Sequence, residues 1–513
     1  MTESAAGAMA APDELVRFGT PKGTWVLIGM ILGSGMASLD ATVVNVALPR
    51  LAGDLHADFS DLAWVINGYT LTLAALILVG GSLGDRYGRR KIFSIGVVAF
   101  AGASLLCGLA PNVATLVAAR MLQGVGGALL TPGSLAILQA SFHPDDRARA
   151  IGAWSGFGGV TTAIGPFVGG WLVDAVSWRA VFLLNLPLAV LVLWVAANHV
   201  PETRSPRVGR GADVTGAIAG ALGLAGTTYG LIERSLPIGV AGVVALVAFV
   251  LVERRGTSPM LPLGIFRNVQ FSATNIVTLF VYAGLAAALF LIGLVLQEAL
   301  GYSPIAAGAA TLPLTAVMLV FSARAGALAQ RIGPRLPMTI GPLVIAGGLL
   351  LMTRIEPGVT YLGAVFPAVL VLAAGLSLTV APLTATVLAA ADAEHSGVAS
   401  GVNNAVARVG GLLAVASVPL IAGFAPGAII GAAKLVDGFH AAVVGAAVLV
   451  AIGAAVSFGF VRGSRLDQSS RGAPPVEPGE PTFHCGVGSP PQAVTTRPAA
   501  RAPLGPAAPD QAS

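Results

Sequence analysis

Charge is scarce in this sequence. Aspartate, glutamate, lysine and arginine make up only 10% of its 513 residues, whereas soluble domains carry about 25%. Cysteine is scarcer still: Cys107 lies in an apolar run and Cys485 in a polar tail, so we expect no disulfide framework. The scarcity of charge excludes a soluble domain, and a net charge of only +5 does not indicate nucleic-acid binding.

The residue patterns of enzymes and of ATP-driven pumps are also missing. The sequence has no glycine-rich loop ending in Lys-Ser or Lys-Thr, no cluster with metal-ligand spacing, and no nucleophile paired with a base in a loop. We therefore predict a protein that is not an enzyme and needs no metal and no cofactor. Residues 1–24 are polar and lack a signal-peptide pattern, so the first apolar run is expected to direct its own insertion.

Long apolar runs with scattered glycine and proline take up most of the chain. About fourteen of them are long enough to cross a bilayer, including one at 148–172. Arginines concentrate in alternate loops, such as 86–91 and 204–210, whereas loop 391–397 has no basic residue. The positive-inside rule then places both termini in the cytoplasm. The predicted fold is an all-α, polytopic membrane protein.

A ten-residue segment occurs twice, about half a chain apart. Residues 81–90 and 326–335 share Gly, Leu, Arg, Gly and Arg in the same register, which indicates a duplicated six-helix bundle with two extra spans between the copies. We divide the chain into a cytoplasmic N-terminal segment 1–24, a six-helix bundle 25–200, a two-helix insert 201–268, a second six-helix bundle 269–461, and a disordered cytoplasmic tail 462–513.

Two charged residues lie inside predicted spans. Asp40 is in the first span and Arg120 is in the fourth, where an unpaired charge costs roughly 2.5–3.5 kcal/mol on insertion scales. Burial disfavours the charged form of a carboxyl group, so Asp40 is a candidate to carry protons, with Arg120 as its candidate partner. The alternatives are that Asp40 is hydrated near the outer interface in a structural role, and that Arg120 reaches the membrane surface.

The first copy of the repeated segment resembles the loop motif of the major facilitator superfamily. Its residues are Gly81, Gly84, Asp85, Arg86, Gly88, Arg89 and Arg90. The glycines let helix ends approach closely, and the Asp85 carboxylate can pair with an arginine or a helix N-terminus, so we interpret the segment as a conformational latch. The alternative is a simple positively charged anchor. Gln330 replaces the acid in the second copy, so the charged latch belongs to the first half.

The fifth predicted span contains Gly165, Pro166, Gly169 and Gly170. Proline removes a helical hydrogen bond and glycine permits close packing, which predicts a bend or a sliding surface. This run, together with the residues from Trp178 to Pro187, resembles the antiporter signature of the same superfamily. The resemblance implies export of a solute, with the four residues as an antiporter hinge.

The stretch from Leu39 to Pro49 resembles the first-span motif of fourteen-span drug:proton antiporters, and segments 297–308 and 400–411 agree with that branch. The resemblance implies a secondary active transporter that exports a drug-like molecule in exchange for protons by alternating access. Polar residues inside spans are candidates for the substrate pathway or for bonds between helices: Thr42, Asn45, Gln123, Asn275, Gln297, Asn403 and Asn404.

The resemblance also implies the surroundings of the protein. We expect a monomer in the inner (plasma) membrane, with the lipid bilayer, a proton and a small amphipathic or drug-like solute as its partners. The few charges in the spans favour a cationic or neutral solute. The alternatives are a proton-coupled symporter for uptake on the same fold and a membrane sensor that transports nothing.

Overall fold

The apolar runs are helices in the computed structural model, which describes residues 15–204, 213–256, 261–390, 396–425, 427 and 430–463. Within these ranges there is no β-strand, and one isolated bridge joins Val16 to Phe142. The helices are, in chain order, α1 (Pro21–Leu55), α2 (Phe59–Tyr87), α3 (Arg89–Gly108), α4 (Val113–Ser141), α5 (Pro144–Ala175), α6 (Ala180–His199), α7 (Val214–Ile232), α8 (Leu236–Arg255), α9 (Val269–Ala299), α10 (Pro304–Ile332), α11 (Arg335–Arg354), α12 (Tyr361–Ala389), α13 (Ser396–Ile421) and α14 (Ala432–Phe460).

In the described part of the chain, thirteen helices are long and apolar enough to cross a membrane. Helix α5 contains the predicted span 148–172 and is 32 residues long, but it is not one of the thirteen. The prediction of an all-α polytopic membrane protein is therefore confirmed, and the count of fourteen spans stays a prediction. The tail 462–513 lies almost wholly outside the described residues.

The two predicted six-helix bundles pack by one pattern. In the first, α1 contacts α5 and α6, α4 contacts α2 and α3, and α3 contacts α6. In the second, α9 contacts α13 and α14, α12 contacts α10 and α11, and α11 contacts α14. Each pairing in one bundle has its counterpart in the other, as expected if the repeated segments mark a duplicated helix set.

The bundles meet through α2 against α13, α5 against α10, and α1 against α9, while α7 of the insert packs on α2 and α13. We call the end at which α1 ends and α2 begins the distal end; in the predicted topology it faces outside. Two hydrogen bonds join the described parts of the bundles, from Gln297 Nε2 to Val46 O at 3.0 Å and from Ile305 N to Asp174 Oδ2 at 2.9 Å. Both lie at the distal end, so the bundles are bonded to each other there.

Candidate functional site

Asp40 and Arg120 face each other inside the first bundle. Asp40 lies near the middle of α1, and Arg120 lies two turns into α4. The Asp40 side chain is fully buried and the Arg120 side chain is 1% exposed. Arg120 Nη1 donates to Asp40 Oδ2 at 2.5 Å. The structure thus brings the two predicted residues together away from solvent.

Three neutral polar side chains complete this arrangement. Gln123 accepts a hydrogen bond from Arg120 Nη1 at 2.6 Å and donates to Asp40 Oδ1 at 2.7 Å. Asn185 of α6 donates to the same Asp40 oxygen at 3.2 Å. Both amides also donate to Ser104 Oγ of α3, at 2.8 Å from Gln123 and 3.3 Å from Asn185. We call Asp40, Ser104, Arg120, Gln123 and Asn185 the buried polar cluster.

The Arg120 guanidinium is also held against α2. Its Nε donates to Val65 O at 3.0 Å, and its Cζ lies 4.5 Å from the centre of the Tyr69 ring. Helix α4 comes this close because Gly124 has no side chain: a Cβ at Gly124 would collide with the Tyr69 carbonyl and the Thr72 hydroxyl. The glycine in the sequence therefore determines where Arg120 meets its partners.

The chemistry of the cluster gives it two states. Arginine stays charged and amides do not titrate, so the Asp40 carboxylate is the acid–base group in this set of five side chains. Protonation would turn Asp40 from an acceptor into a donor and leave Arg120 without its counter-charge. An uncompensated buried charge is strongly destabilising, so the two protonation states of Asp40 differ in how well the bonds between α1, α4 and α6 are satisfied.

The predicted hinge residues Gly165 and Gly169 lie where α5 passes closest to α1. A Cβ on Gly165 would collide with the Thr42 hydroxyl, and a Cβ on Gly169 would lie 2.8 Å from Val43 Cγ1. These glycines give α5 a smooth face against the helix that carries Asp40. Movement along this face stays a prediction.

Gly170 and Pro166 face the second bundle. A Cβ on Gly170 would lie 2.7 Å from Ile305 Cα of α10, and Gly308 of α10 packs against the Pro166 backbone. Pro166 lies inside the helical range of α5, so the helix is not interrupted there. The glycine–proline run is therefore a contact surface of α5 towards both α1 and α10.

The predicted latch contains one ion pair. Arg89 Nη2 donates to Asp85 Oδ1 at 2.7 Å, and Arg89 Nη1 donates to Ala136 O of α4 at 3.3 Å. Gly88 has a φ of +114°, in the region that favours glycine, which lets α3 start directly after α2. Of the two partners predicted for Asp85, the structure shows the arginine.

The N-terminus of α3 is capped not by Asp85 but by Glu202, a residue outside the motif. The backbone N–H groups of Arg90 and Lys91 donate to its two carboxylate oxygens at 3.0 Å and 3.1 Å. The carboxylate thereby satisfies unpaired donors of α3 and interacts favourably with the helix dipole. Sequence reasoning missed Glu202, whose one signal was a lone acid just before a stretch rich in arginine.

Two of the predicted pathway residues join α9 to α13. Asn403 Nδ2 donates to Thr278 Oγ1 at 2.7 Å and to Asn275 Oδ1 at 3.2 Å. Asn275 is buried and the neighbouring Asn404 is exposed. For Asn275 and Asn403 the geometry fits the second interpretation of such residues, a bond between helices.

Three further pathway residues lie on α1 and α9. Thr42 faces Gly165 of α5, and the Asn45 carbonyl lies against Gly293 of α9. Thr42 and Asn45 each donate to a carbonyl of α1 itself, and Asn45 Oδ1 is buried without a hydrogen-bond partner. Gln297 bonds Val46 across the two bundles. Gln123 lies elsewhere, in the buried polar cluster, and so belongs with Asp40 rather than with these residues.

Ser104 and Asn185 belong to the buried polar cluster, but no site role was predicted for them from the sequence. Both are neutral, and a polar residue in an apolar run carries no information about its partner. Asn185 had one signal: it lies in the stretch from Trp178 to Pro187 that follows the glycine–proline run.

Comparison with known proteins gives relatives over most of the chain. The model of the family described as Major Facilitator Superfamily matches residues 30–415. The chain is 36% identical over 403 residues to the tetracenomycin C resistance and export protein of Streptomyces glaucescens, covering 76% of this chain and 74% of that protein. It is 36% identical over 407 residues to the methylenomycin A resistance protein of Bacillus subtilis (strain 168), covering 77% and 86%.

The fold is also similar to a solved structure. A bacterial homologue of the human lysosomal transporter Spinster, in its inward-facing and unoccupied conformation, aligns with a TM-score of 0.64 at 18% identity. The alignment covers 86% of this chain and 97% of that one. At this identity the likeness concerns the fold alone.

Proposed function

The chain belongs to the major facilitator superfamily, and we propose on this premise that it exports a drug-like small molecule in exchange for protons. Several of its relatives are antibiotic resistance and export proteins, which supports efflux as the activity. The proposal of proton exchange rests on one observation, the fully buried Asp40 carboxylate held by Arg120, Gln123 and Asn185.

The mechanism follows from the two states of the cluster. With Asp40 charged, its bonds hold α1, α4 and α6 together; with Asp40 protonated, those bonds weaken and the packing of these helices changes. Alternating access then moves one bundle relative to the other, with the Gly165–Gly170 face of α5 as the sliding surface. Each proton that moves inward supplies about 2.3 kcal/mol per 100 mV, enough to concentrate a solute more than tenfold.

The other parts of the chain take supporting roles in this proposal. The protein is a monomer of the inner membrane and not an enzyme, with both termini in the cytoplasm and the insert 201–268 beside the two bundles. The Asp85–Arg89 pair and Glu202 hold the ends of α2, α3 and α6 together on the side opposite the distal end. This arrangement supports a latch that closes and opens as the bundles move.

The test is transport into inside-out membrane vesicles, measured with cationic, neutral and anionic fluorescent dyes. We expect accumulation driven by an imposed proton gradient, and a loss of at least tenfold in Asp40→Asn. The matched control is Asp437→Asn, which removes the same charge from an exposed carboxylate of α14 and should leave transport within twofold of native.

Three outcomes contradict the proposal in different ways. Accumulation that ignores the gradient and follows ATP would exclude secondary transport. Gradient-driven movement out of the vesicles would indicate the symporter that uses this fold for uptake. Unchanged coupling in Asp40→Asn would remove Asp40 from the mechanism.

A further inference from the structure

Arg408 carries a positive charge in the middle of α13. It lies 12 residues after Ser396 and 13 residues before Ile421, so roughly 18 Å of helix separates it from either end. That distance is beyond the reach of an arginine side chain. A cation at this depth is costly unless it is paired.

Within the described ranges Arg408 takes part in no ion pair and no hydrogen bond, and its Nε is buried without a partner. Asp40, the acid of the buried polar cluster, is not available as its partner, because its oxygens already accept hydrogen bonds from Arg120, Gln123 and Asn185. Arg408 is nevertheless partly exposed, so a molecule entering between the bundles can reach it. The missing counter-charge can therefore come from a bound solute.

A second unpartnered polar group lies on the same contact of α2 with α13. Asn67 of α2 is 0% exposed, and neither its amide nitrogen nor its amide oxygen has a hydrogen-bond partner. Leu71, one turn further along α2, packs in one cluster with Leu412, one turn beyond Arg408 on α13. Buried amides without partners are rare, and this one lies one helical turn from Leu71, whose cluster joins α2 to α13.

Two tyrosine side chains lie within electrostatic range of this cation. The Arg408 guanidinium is close enough to the hydroxyl groups of Tyr69 and Tyr282 to act on both electrostatically. Tyr69 also stacks on Arg120, with 4.5 Å between the ring centre and Arg120 Cζ. Tyr282, on α9, is partly exposed. The positive charge of Arg408 therefore acts on one tyrosine of each bundle, Tyr69 on α2 and Tyr282 on α9.

We propose that Arg408, with the partly exposed Tyr282 on the neighbouring helix α9, binds the acidic oxygen group of an aromatic solute. A guanidinium binds carboxylate or sulfonate oxygens through two parallel hydrogen bonds, and tyrosine rings stack on flat aromatic molecules. Asn67 supplies a further donor and acceptor when α2 and α13 separate. This inference rests on the proposed export function and narrows its substrate to an aromatic anion, in place of the cationic or neutral solute favoured by composition.

The test uses two dyes that share one skeleton. 1-Anilinonaphthalene-8-sulfonate is anionic, and N-phenyl-1-naphthylamine is the same molecule without the sulfonate. Binding of each dye to the full chain in lipid nanodiscs is measured by equilibrium dialysis against empty nanodiscs, with no proton gradient. We expect the native protein to bind the sulfonate dye more tightly, and Arg408→Gln to lose at least tenfold in that affinity while the affinity for the neutral dye stays within twofold.

Two further variants separate charge from structure. Arg408→Lys keeps the cation and should stay within about fivefold of native for the sulfonate dye. Arg324→Gln removes the charge of an exposed arginine of α10 that bonds its own helix, and should change neither affinity. The inference is overturned if the native protein binds no sulfonate dye beyond empty nanodiscs, if Arg408→Gln binds it as native does, or if both dyes weaken equally. Because no gradient is applied, these results stand apart from the transport test of Asp40.

Discussion

Asn185 donates a hydrogen bond to the Asp40 carboxylate across 145 residues of chain. Its Nδ2 lies 3.2 Å from Asp40 Oδ1, while its own Oδ1 is buried without a partner. The amide therefore offers a donor to the charged carboxylate and has an acceptor free for the protonated one. This makes Asn185 the residue outside the ion pair best placed to sense the protonation of Asp40.

Asn185→Ala should slow gradient-driven export about tenfold, because a hydrogen bond to a charged group contributes about 1.5–3 kcal/mol and each 1.4 kcal/mol is a factor of ten. The measurement is the initial rate in inside-out vesicles at equal protein levels. The control is Asn198→Ala on the same helix, whose amide bonds its own helix at Trp194 O. Equal rates in the two variants would assign Asn185 a purely structural role.

Asp40 and Arg120 should be strongly non-additive in stability. Each single variant, Asp40→Asn or Arg120→Gln, leaves a buried group uncompensated. Each should therefore lower the free energy of unfolding, by up to about 3–5 kcal/mol. The double variant should be more stable than the sum of the two losses predicts. Thermal unfolding of all four proteins in one detergent gives the coupling. Additive losses would mean that the two side chains do not depend on each other.

Gly170→Ala should impair export more than Gly152→Ala on the same helix. A methyl group at Gly170 would lie 2.7 Å from Ile305 Cα, whereas the space beside Gly152 is open within 4 Å. Overpacking at such a contact costs about 1–3 kcal/mol, and here it forces α5 away from α10 at the distal end. We expect at least a fivefold loss of rate for the first variant and less than twofold for the second. Similar rates in the two variants would indicate that the close contact between α5 and α10 is not needed for transport.

Glu202→Ala should loosen the start of α3. The carboxylate receives the N–H groups of Arg90 and Lys91, and loss of a helix cap costs about 1 kcal/mol. Hydrogen exchange of the peptide that contains both residues should become about fivefold faster. Glu356→Ala, in an exposed loop at the distal end, is the control and should leave that peptide unchanged. Unchanged exchange in both variants would show that Glu202 does not hold the helix end.

The fold was predictable because its main determinants are local. An apolar run long enough for a bilayer must be helical, since lipid cannot satisfy backbone polar groups. The repeated segments at 81–90 and 326–335 agree with the matching helix pairings of the two predicted bundles. Helix α5 shows where this reasoning weakens. Its 32 residues contain the predicted span 148–172, yet it is not one of the thirteen candidate spans among the described residues, so a fourteenth span stays a prediction.

The site was predictable only in part. A charged residue in a membrane span indicates that it has a partner, whereas a neutral polar residue does not. A buried acid and a buried base in one membrane protein must find partners, which points from Asp40 to Arg120. Nothing comparable points to Ser104 or Asn185, since an amide or hydroxyl can bond its own helix, as Thr42 and Asn45 do. Asn275 and Asn403 were predicted to line the pathway or to bond neighbouring helices, and the sequence could not distinguish the two roles. In the structure they bond each other between α9 and α13.

The complete burial of the Asp40 carboxylate also affects how much of the proton gradient is lost without transport. In the proposed mechanism a proton reaches this group only while α1, α4 and α6 are apart, so protons do not cross the first bundle in the arrangement that the structure shows. Proton slippage, the dissipation of the gradient without cargo, is then limited by how often α1, α4 and α6 separate rather than by the acidity outside. Without solute to export, the protein should therefore leak few protons across the membrane.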